Sequence, residues 1–265
     1  MAEVPKPAIM ARANPFRTAL GLDVSFPAPG EAEIHAPPRA GNLDGDGLIA
    51  QGVVLTLLDV ALGHAIASRL PDATSFATVS LQILIAGSWS AGPLKARGTA
   101  EELAADWRET TAMGRVFAPG GGVVATAQGC FVRGVGPGRS LGAEAQPQGQ
   151  WPSFRELLGC RDEGACLAAR VEQRHLNPDG VMHGGAMAAL LDEGMRAGLR
   201  AEGAGASRLG SFSVRYLLPA RPGSLRVTWQ LQRRGRRIHF ASASAADADG
   251  QLLATADATY VEDSE

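Results

Sequence analysis

From His183 to Asp192 the chain sets a histidine, two consecutive glycines and an acid where a loop runs into a helix. The loop reads His175-Leu176-Asn177-Pro178-Asp179-Gly180-Val181-Met182-His183-Gly184-Gly185, and Asn177 to Gly180 are all turn formers. Beyond Gly185, apolar residues recur at three and four positions (Met187, Leu190, Leu191, Met195, Leu199), which predicts a helix over Gly184 to Ala201. Glycines at a helix start leave the first free backbone N–H groups open to a ligand, and the positive end of the helix favours negative charge developing there. That is the chemistry of an oxyanion hole. Asp192 sits within the same helix, about 12 Å along the axis from Gly184. A base or nucleophile must come within about 3 to 3.5 Å of the reacting atoms, so one such segment cannot supply both groups.

A second acid comes from an internal repeat. Asn42 to Gly52 lies over His175 to Gly185, and Val53 to Asp59 then falls on Ala186 to Asp192 with the two acids aligned. Val79 to Ile83 matches Phe212 to Tyr216, and Gly121 to Ala127 matches Gly250 to Ala256. The chain reads as two copies of one unit, each a strand, a long helix and four strands. In the second copy these are Ala165 to Gln173, the helix Gly184 to Ala201, and strands at Ser211 to Leu217, Leu225 to Leu231, Ile238 to Ala245 and Leu252 to Val261. In the first they are Glu31 to Ala36, the helix Gly52 to Arg69, and strands near Phe76 to Ile85, Leu94 to Ala104, Trp107 to Val116 and Val123 to Arg133. Consecutive hairpins imply an antiparallel sheet that a helix covers. Ser153-x-x-Glu156 has the capping-box pattern before a short helix Phe154 to Leu158, and Asn14-Pro15 opens the first unit in a similar way.

Asn177, His183-Gly184-Gly185 and Asp192, at a loop-to-helix transition, resemble the signature of the hotdog-fold acyl-CoA thioesterases of the phenylacetate-pathway (PaaI-like) type. The resemblance is carried by Leu176 to Asp192 and reaches the first half through the repeat. It implies an α+β fold of two tandem hotdog units, each a curved antiparallel sheet wrapped around a long central helix, packed as a pseudo-dimer. Residues 1–139 would be the N-terminal unit, 140–150 a linker rich in Gly, Pro, Gln and Ala, and 151–265 the C-terminal unit.

With the central helices antiparallel, as the resemblance implies, the acid of one unit faces the helix start of the other. One site then combines Asp59 with Asn177, His183, Gly184 and Gly185. The other combines Asp192 with Asp44, Ala50, Gln51 and Gly52, where the His-Gly pair has been replaced, and is expected to be weakened or dead. Asp192 also has Arg196 one turn ahead as an ion-pair partner, whereas Asp59 has no cation at helical spacing. A carboxylate on an apolar helix costs free energy unless something outside the helix uses it.

The expected reaction is hydrolysis of an acyl-CoA thioester. Gly184 N–H polarises the carbonyl, Asn177 orients that carbonyl or the water, and His183 holds the loop or contacts the sulfur side. Asp59 activates water or attacks directly. The resemblance also implies a Ser or Thr early in the strand after each helix; the aligned positions are Phe76 and Leu209, with Thr78 and Ser211 nearby. Arg233, Arg234, Arg236 and Arg237 could hold the phosphates of coenzyme A, or simply form a solvated hairpin. Coenzyme A is part of the substrate, so no separate cofactor is expected. A non-catalytic acyl-CoA binding or sensing module and a hotdog enoyl-CoA hydratase are the rival readings; the hydratase would want an Asp-(few)-His loop that is not found.

Composition narrows the classes further. A net charge of −2 over 265 residues argues against a nucleic-acid partner. The three cysteines (Cys130, Cys160, Cys166) show no CxxC spacing and point to structural thiols in a reducing cytoplasm. His35, His64 and His239 lack metal-ligand spacing, so no metal is expected. No secretory signal is seen in Met1 to Pro15. The two apolar runs are interrupted by Asp59 and Asp192, so no membrane span is expected. A homodimer of the chain is expected by resemblance.

Overall fold

The computed structural model describes residues 7–70, 75–89, 91–104, 106–134, 149–204 and 207–262. The linker expected at 140–150 falls outside these, apart from its last two positions.

Along the first half the elements are α1 (Pro15–Leu20), β1 (Asp23–Ser25), β2 (Glu31–Ala36), α2 (Gln51–Ala67), β3 (Phe76–Ile85), β4 (Leu94–Ala100), β5 (Glu109–Phe117) and β6 (Val123–Arg133). The second half runs α3 (Phe154–Leu158), β7 (Arg161–Asp162), β8 (Cys166–Val171), α4 (Gly184–Ala201), β9 (Arg208–Tyr216), β10 (Gly223–Arg234), β11 (Ile238–Asp247) and β12 (Leu252–Val261). The short strands β1 and β7 add one strand before each long helix to the single strand expected there. Both short helices begin and end as local chemistry dictates. Asn14 and Ser153 accept hydrogen bonds from Arg17 N–H and Glu156 N–H, and Gly21 and Gly159, each at φ 62°, close α1 and α3 in the left-handed region.

All the strands join one antiparallel sheet in the order β1-β2-β4-β5-β6-β3-β9-β12-β11-β10-β8-β7. Within each half the order is the same, read outward from the centre. The seam is β3 against β9, with Leu81 opposite Val214 and Ile83 opposite Phe212. Residues such as Leu81, Ile83, Phe212 and Val214 point inward and are buried. The alternate positions Leu84, Met113 and Phe240 are exposed on the other face of the sheet.

The inward face wraps α2 and α4. Leu55, Leu57, Leu58 and Leu62 of α2 are wholly buried, each such side chain contributing roughly 1.5–3 kcal/mol over leaving it in water. Small residues set how tightly the sheet closes. A Cβ at Gly98 of β4 would run into the backbone carbonyl of Ala61, and one at Gly198 of α4 would run into the indole of Trp229.

Candidate active site

The two long helices cross antiparallel and in contact. A Cβ at Gly52 would meet that of Ala189 at 2.7 Å, and one at Gly185 would meet Thr56 Cα at 2.8 Å. The same approach brings Asp59, midway along α2, to the first turn of α4. Asp59 Oδ2 accepts from Gly185 N–H at 2.7 Å, and its Oδ1 accepts from the Thr78 hydroxyl at 3.1 Å. His183 Nδ1 lies 3.2 Å from Oδ2 and 3.0 Å from Gly185 N, so the imidazole both caps α4 and borders the carboxylate. Asp59 is only 5% exposed. A buried carboxylate on an apolar helix is tolerable here because a helix N-terminus, a hydroxyl and an imidazole surround it.

Gly184 stands beside this group and lines a cavity. Among the described residues its N–H has no protein acceptor, while its carbonyl accepts from the Tyr216 hydroxyl at 3.0 Å. A Cβ there would meet Asp59 Oδ2 at 2.8 Å, which is the physical reason for glycine at this position. The loop before it is held by its own side chains. Asn177 Oδ1 accepts from Asp179 N–H (2.9 Å) and Val181 N–H (3.3 Å), leaving the amide NH2 as the group that can serve a ligand. His175 is buried and tied to Leu157 O at 2.8 Å and Glu172 N at 3.1 Å, and its own carbonyl accepts from His183 N–H at 2.8 Å. It shapes the loop. Phe16 of α1 packs its ring 5.4 Å from that of His183, and Arg12 pairs with Asp179 at 2.6 Å, so the N-terminal segment also braces this loop.

The cavity has a volume of about 360 Å³ and runs past Asp59, Thr78, Asn177, His183, Gly184 and Tyr216. One end opens at Leu217, Leu218, Pro219 and Arg221, all exposed. The other follows α2 inward past Val60, His64 and Ala67, which are buried, to Arg17 of α1.

The family model of the thioesterase superfamily matches residues 179–254, from the loop before α4 into β12. Over those residues the second half matches the thioesterase superfamily, and the likeness of the whole chain to solved structures is one of fold. Among solved structures, the tesB protein of Mycobacterium avium subs paratuberculosis is similar over 93% of this chain and 98% of its own, at 13% identity and a TM-score of 0.63. An acyl-ACP thioesterase from Bacteroides thetaiotaomicron is similar over 87% of this chain and 98% of its own, at 12% identity and a TM-score of 0.57. A mutant of phenylacetic acid degradation protein PaaI from Thermus thermophilus is 31% identical over 45% of this chain and 99% of its own, with a TM-score of 0.39. The curated proteins gave no match.

At the equivalent crossing in the other half, the chain carries a different constellation. Gln51 occupies the place of Gly184, and its amide Nε2 lies 2.9 and 2.8 Å from the two oxygens of Asp192, while its Oε1 accepts from Leu209 N–H at 3.0 Å. The Tyr260 hydroxyl donates to Asp192 Oδ1 at 2.6 Å. Asp192 is 1% exposed, and burial raises its pKa against the attraction of Arg196 and these hydrogen bonds. The hydrogen-bonding partners of Asp192 are thus Gln51 and Tyr260, with Arg196 acting through space.

The arginine-rich hairpin sits elsewhere in the fold. Arg233 and Arg234 end β10, Arg236 and Arg237 lie in the turn to β11, and none of the four lines the cavity. A Cβ at Gly203, just past the C-terminal end of α4, would lie 3.7 Å from the Arg234 guanidinium, whereas Gly184 begins that helix. The structure does not bring these arginines to Gly184. Cys160 and Cys166 are buried, Cys130 is half-buried, and all three are free thiols; burial pushes Cys160 up to about 11. No cluster of three potential metal ligands occurs among the described residues, and no helix there is long and apolar enough to cross a membrane.

Sequence reasoning named Thr78 only as a neighbour of the expected position and missed Tyr216 and Arg221 of the same cavity. Thr78 lies two positions beyond Phe76, where the resemblance places a hydroxyl. Tyr216 comes from β9, in the other half of the sheet. Arg221 stands on the cavity rim in the loop after β9. A hydroxyl near the predicted strand start was the one signal available in advance.

Proposed function

We propose that this protein is an acyl-CoA thioesterase built as a PaaI-like tandem double hotdog, with units at 1–139 and 151–265 joined by a linker at 140–150. The hydrogen bond from Gly185 N–H to Asp59 Oδ2, 2.7 Å long and made between the two long helices, carries this reading. It sets a carboxylate from one half against a helix N-terminus from the other, with the Gly184 N–H available beside it.

The thioester carbonyl oxygen accepts from Gly184 N–H, and the amide of Asn177 adds a second donor, so negative charge developing on that oxygen meets the positive end of α4. Asp59 is held by Gly185 N–H on one oxygen and Thr78 on the other, and it takes a proton from the attacking water. The carbon–sulfur bond then breaks, and coenzyme A leaves by the exposed rim, where Arg221 is the cation placed to meet its phosphates. Direct attack by Asp59 would instead give a mixed anhydride. After single turnover in 18O-labelled water, label on the protein carboxylate identifies an anhydride that water opens at the Asp59 carbon. His183 acts as cap and positioning residue for α4. The Asp192 site, filled by Gln51, is taken as silent.

The same proposal includes a cytoplasmic homodimer that takes a small-molecule acyl-CoA and needs no cofactor or metal. Exposed Leu84, Met113 and Phe240 on the outer face of the sheet support a second copy covering that face. Release of free thiol from a panel of acyl-CoAs tests the activity. Turnover is expected; saturable binding without thiol release would make the chain a binding module.

A further inference from the structure

Where the cavity meets α1 it holds a cation that pairs with no anion among the described residues. Arg17, in the last turn of α1, lines this end and is half-buried, and loss of hydration lowers its pKa. Its Nη1 lies 3.0 Å from Met10 Sδ, a weak acceptor, and 3.1 Å from His64 Nε2. His64 Nδ1 is 2.8 Å from the Val60 carbonyl, which can only accept, so Nδ1 carries the proton and Nε2 is a bare acceptor toward Arg17. Burial drives the imidazole down to about 3, so His64 is neutral and offers no countercharge. Among the described residues no carboxylate pairs with Arg17, and its remaining N–H donors have no protein acceptor. The two acids lining this cavity are already engaged, Asp59 by Gly185 and Thr78 and Asp179 by Arg12.

A guanidinium drawn out of water without an acid costs free energy, and a neutral acceptor on one nitrogen orients it without satisfying it. The free edge of such a group is a fork that matches a carboxylate through two parallel bonds. Its position says which part of a ligand it meets. The rim at Leu217 to Arg221 is exposed and suits the bulky nucleotide end, so the acyl chain points inward along α2. His64 follows Asp59 by five positions on α2, about 7.5 Å along the axis, a span that a short acyl chain can cross.

We infer that Arg17, oriented by His64, forms a carboxylate subsite at the end of the acyl chamber, so that the preferred substrates are ω-carboxyacyl thioesters, the monothioesters of short dicarboxylic acids. This rests on the thioesterase reading above and adds the chemistry of the acyl group to it.

The test compares glutaryl-CoA with pentanoyl-CoA, which match in length and differ in the terminal carboxylate. The wild-type chain should favour glutaryl-CoA in kcat/KM. In Arg17→Met that ratio should fall by on the order of 100-fold, the scale of a lost charge-assisted pair. Arg17→Lys should keep part of the preference as a point charge. Equal kcat/KM for the two thioesters in the wild-type chain overturns the subsite, as does a ratio that Arg17→Met leaves unchanged. The wild-type comparison decides even if Arg17→Met does not fold. If neither thioester is hydrolysed, the thioesterase reading fails by itself. Calorimetric binding of the same two compounds then decides the subsite, tighter glutaryl-CoA upholding it and equal affinities overturning it.

Discussion

Gly185 N–H and Asp59 Oδ2 are joined by a 2.7 Å hydrogen bond although 126 positions separate the two residues. The bond fixes the register of α2 against α4 and places the charge of one at the positive end of the other. Neighbouring glycines serve different purposes in that contact. Gly184 gives room to the carboxylate, and Gly185 gives room to the backbone of Thr56.

Alanine at these two positions should therefore fail in different ways. Gly185→Ala sets a methyl against Thr56 Cα at 2.8 Å, where backbone must shift, and should cost about 1–3 kcal/mol of stability. Gly184→Ala meets only the end of the Asp59 side chain, so the chain should fold while kcat falls by roughly 100-fold as the carboxylate is displaced. Urea unfolding and thiol-release kinetics on both variants check the contrast. Equal stability losses with equal kcat would contradict it.

In the other half the Tyr260 hydroxyl donates to Asp192, and on the proposed function this contact is structural. Tyr260→Phe removes the 2.6 Å donor from a buried carboxylate and should destabilise the fold by about 1–3 kcal/mol. Turnover per folded molecule should not change. A loss of kcat with stability intact would reassign Asp192 to chemistry.

Much of this was legible because it is local or repeated. The spacing of Met187, Leu190, Leu191 and Met195 gave α4 its predicted bounds, Gly184 to Ala201, and the repeat picked Asp59 out of an otherwise apolar segment. The residues that escaped are those brought in by the sheet. Tyr260 reaches Asp192 across 68 positions from β12, and no local pattern announces that pairing. Thr78 was displaced from the expected position. The register of β3 against β6 shifts between Thr78 and Ser80, and an irregularity of this kind re-aims side chains by an amount that alternation cannot foretell. His64 looked like an ordinary core or surface histidine, because its meaning depends on Arg17 in a different helix. The arginine hairpin shows the converse, since a charge cluster obvious in the sequence lies away from the cavity.

His64 also sets a pH dependence of stability. Burial, the nearby Arg17 charge and His183 hold its pKa down from 6.5 to about 3, against the Val60 carbonyl and Asp59, which raise it. The unfolded chain thus binds this proton more tightly than the folded one. Its contribution to stability is complete above about pH 6.5 and is lost progressively as pH falls toward 3. Between pH 7.5 and 5 the loss should be about 2 kcal/mol. Urea unfolding at the two pH values should show that loss in the wild-type chain and less of it in His64→Gln; identical slopes would contradict the assignment.

The central claim is that one carboxylate works and its repeat counterpart does not. The direct measurement is steady-state thiol release by Asp59→Asn and Asp192→Asn, prepared side by side and normalised to folded protein. Asp59→Asn should lose kcat by about 100- to 10,000-fold, the range of general acid–base catalysis, with Asp192→Asn staying within a few fold of the wild-type chain. Loss of turnover in Asp192→Asn with activity retained in Asp59→Asn would contradict the account.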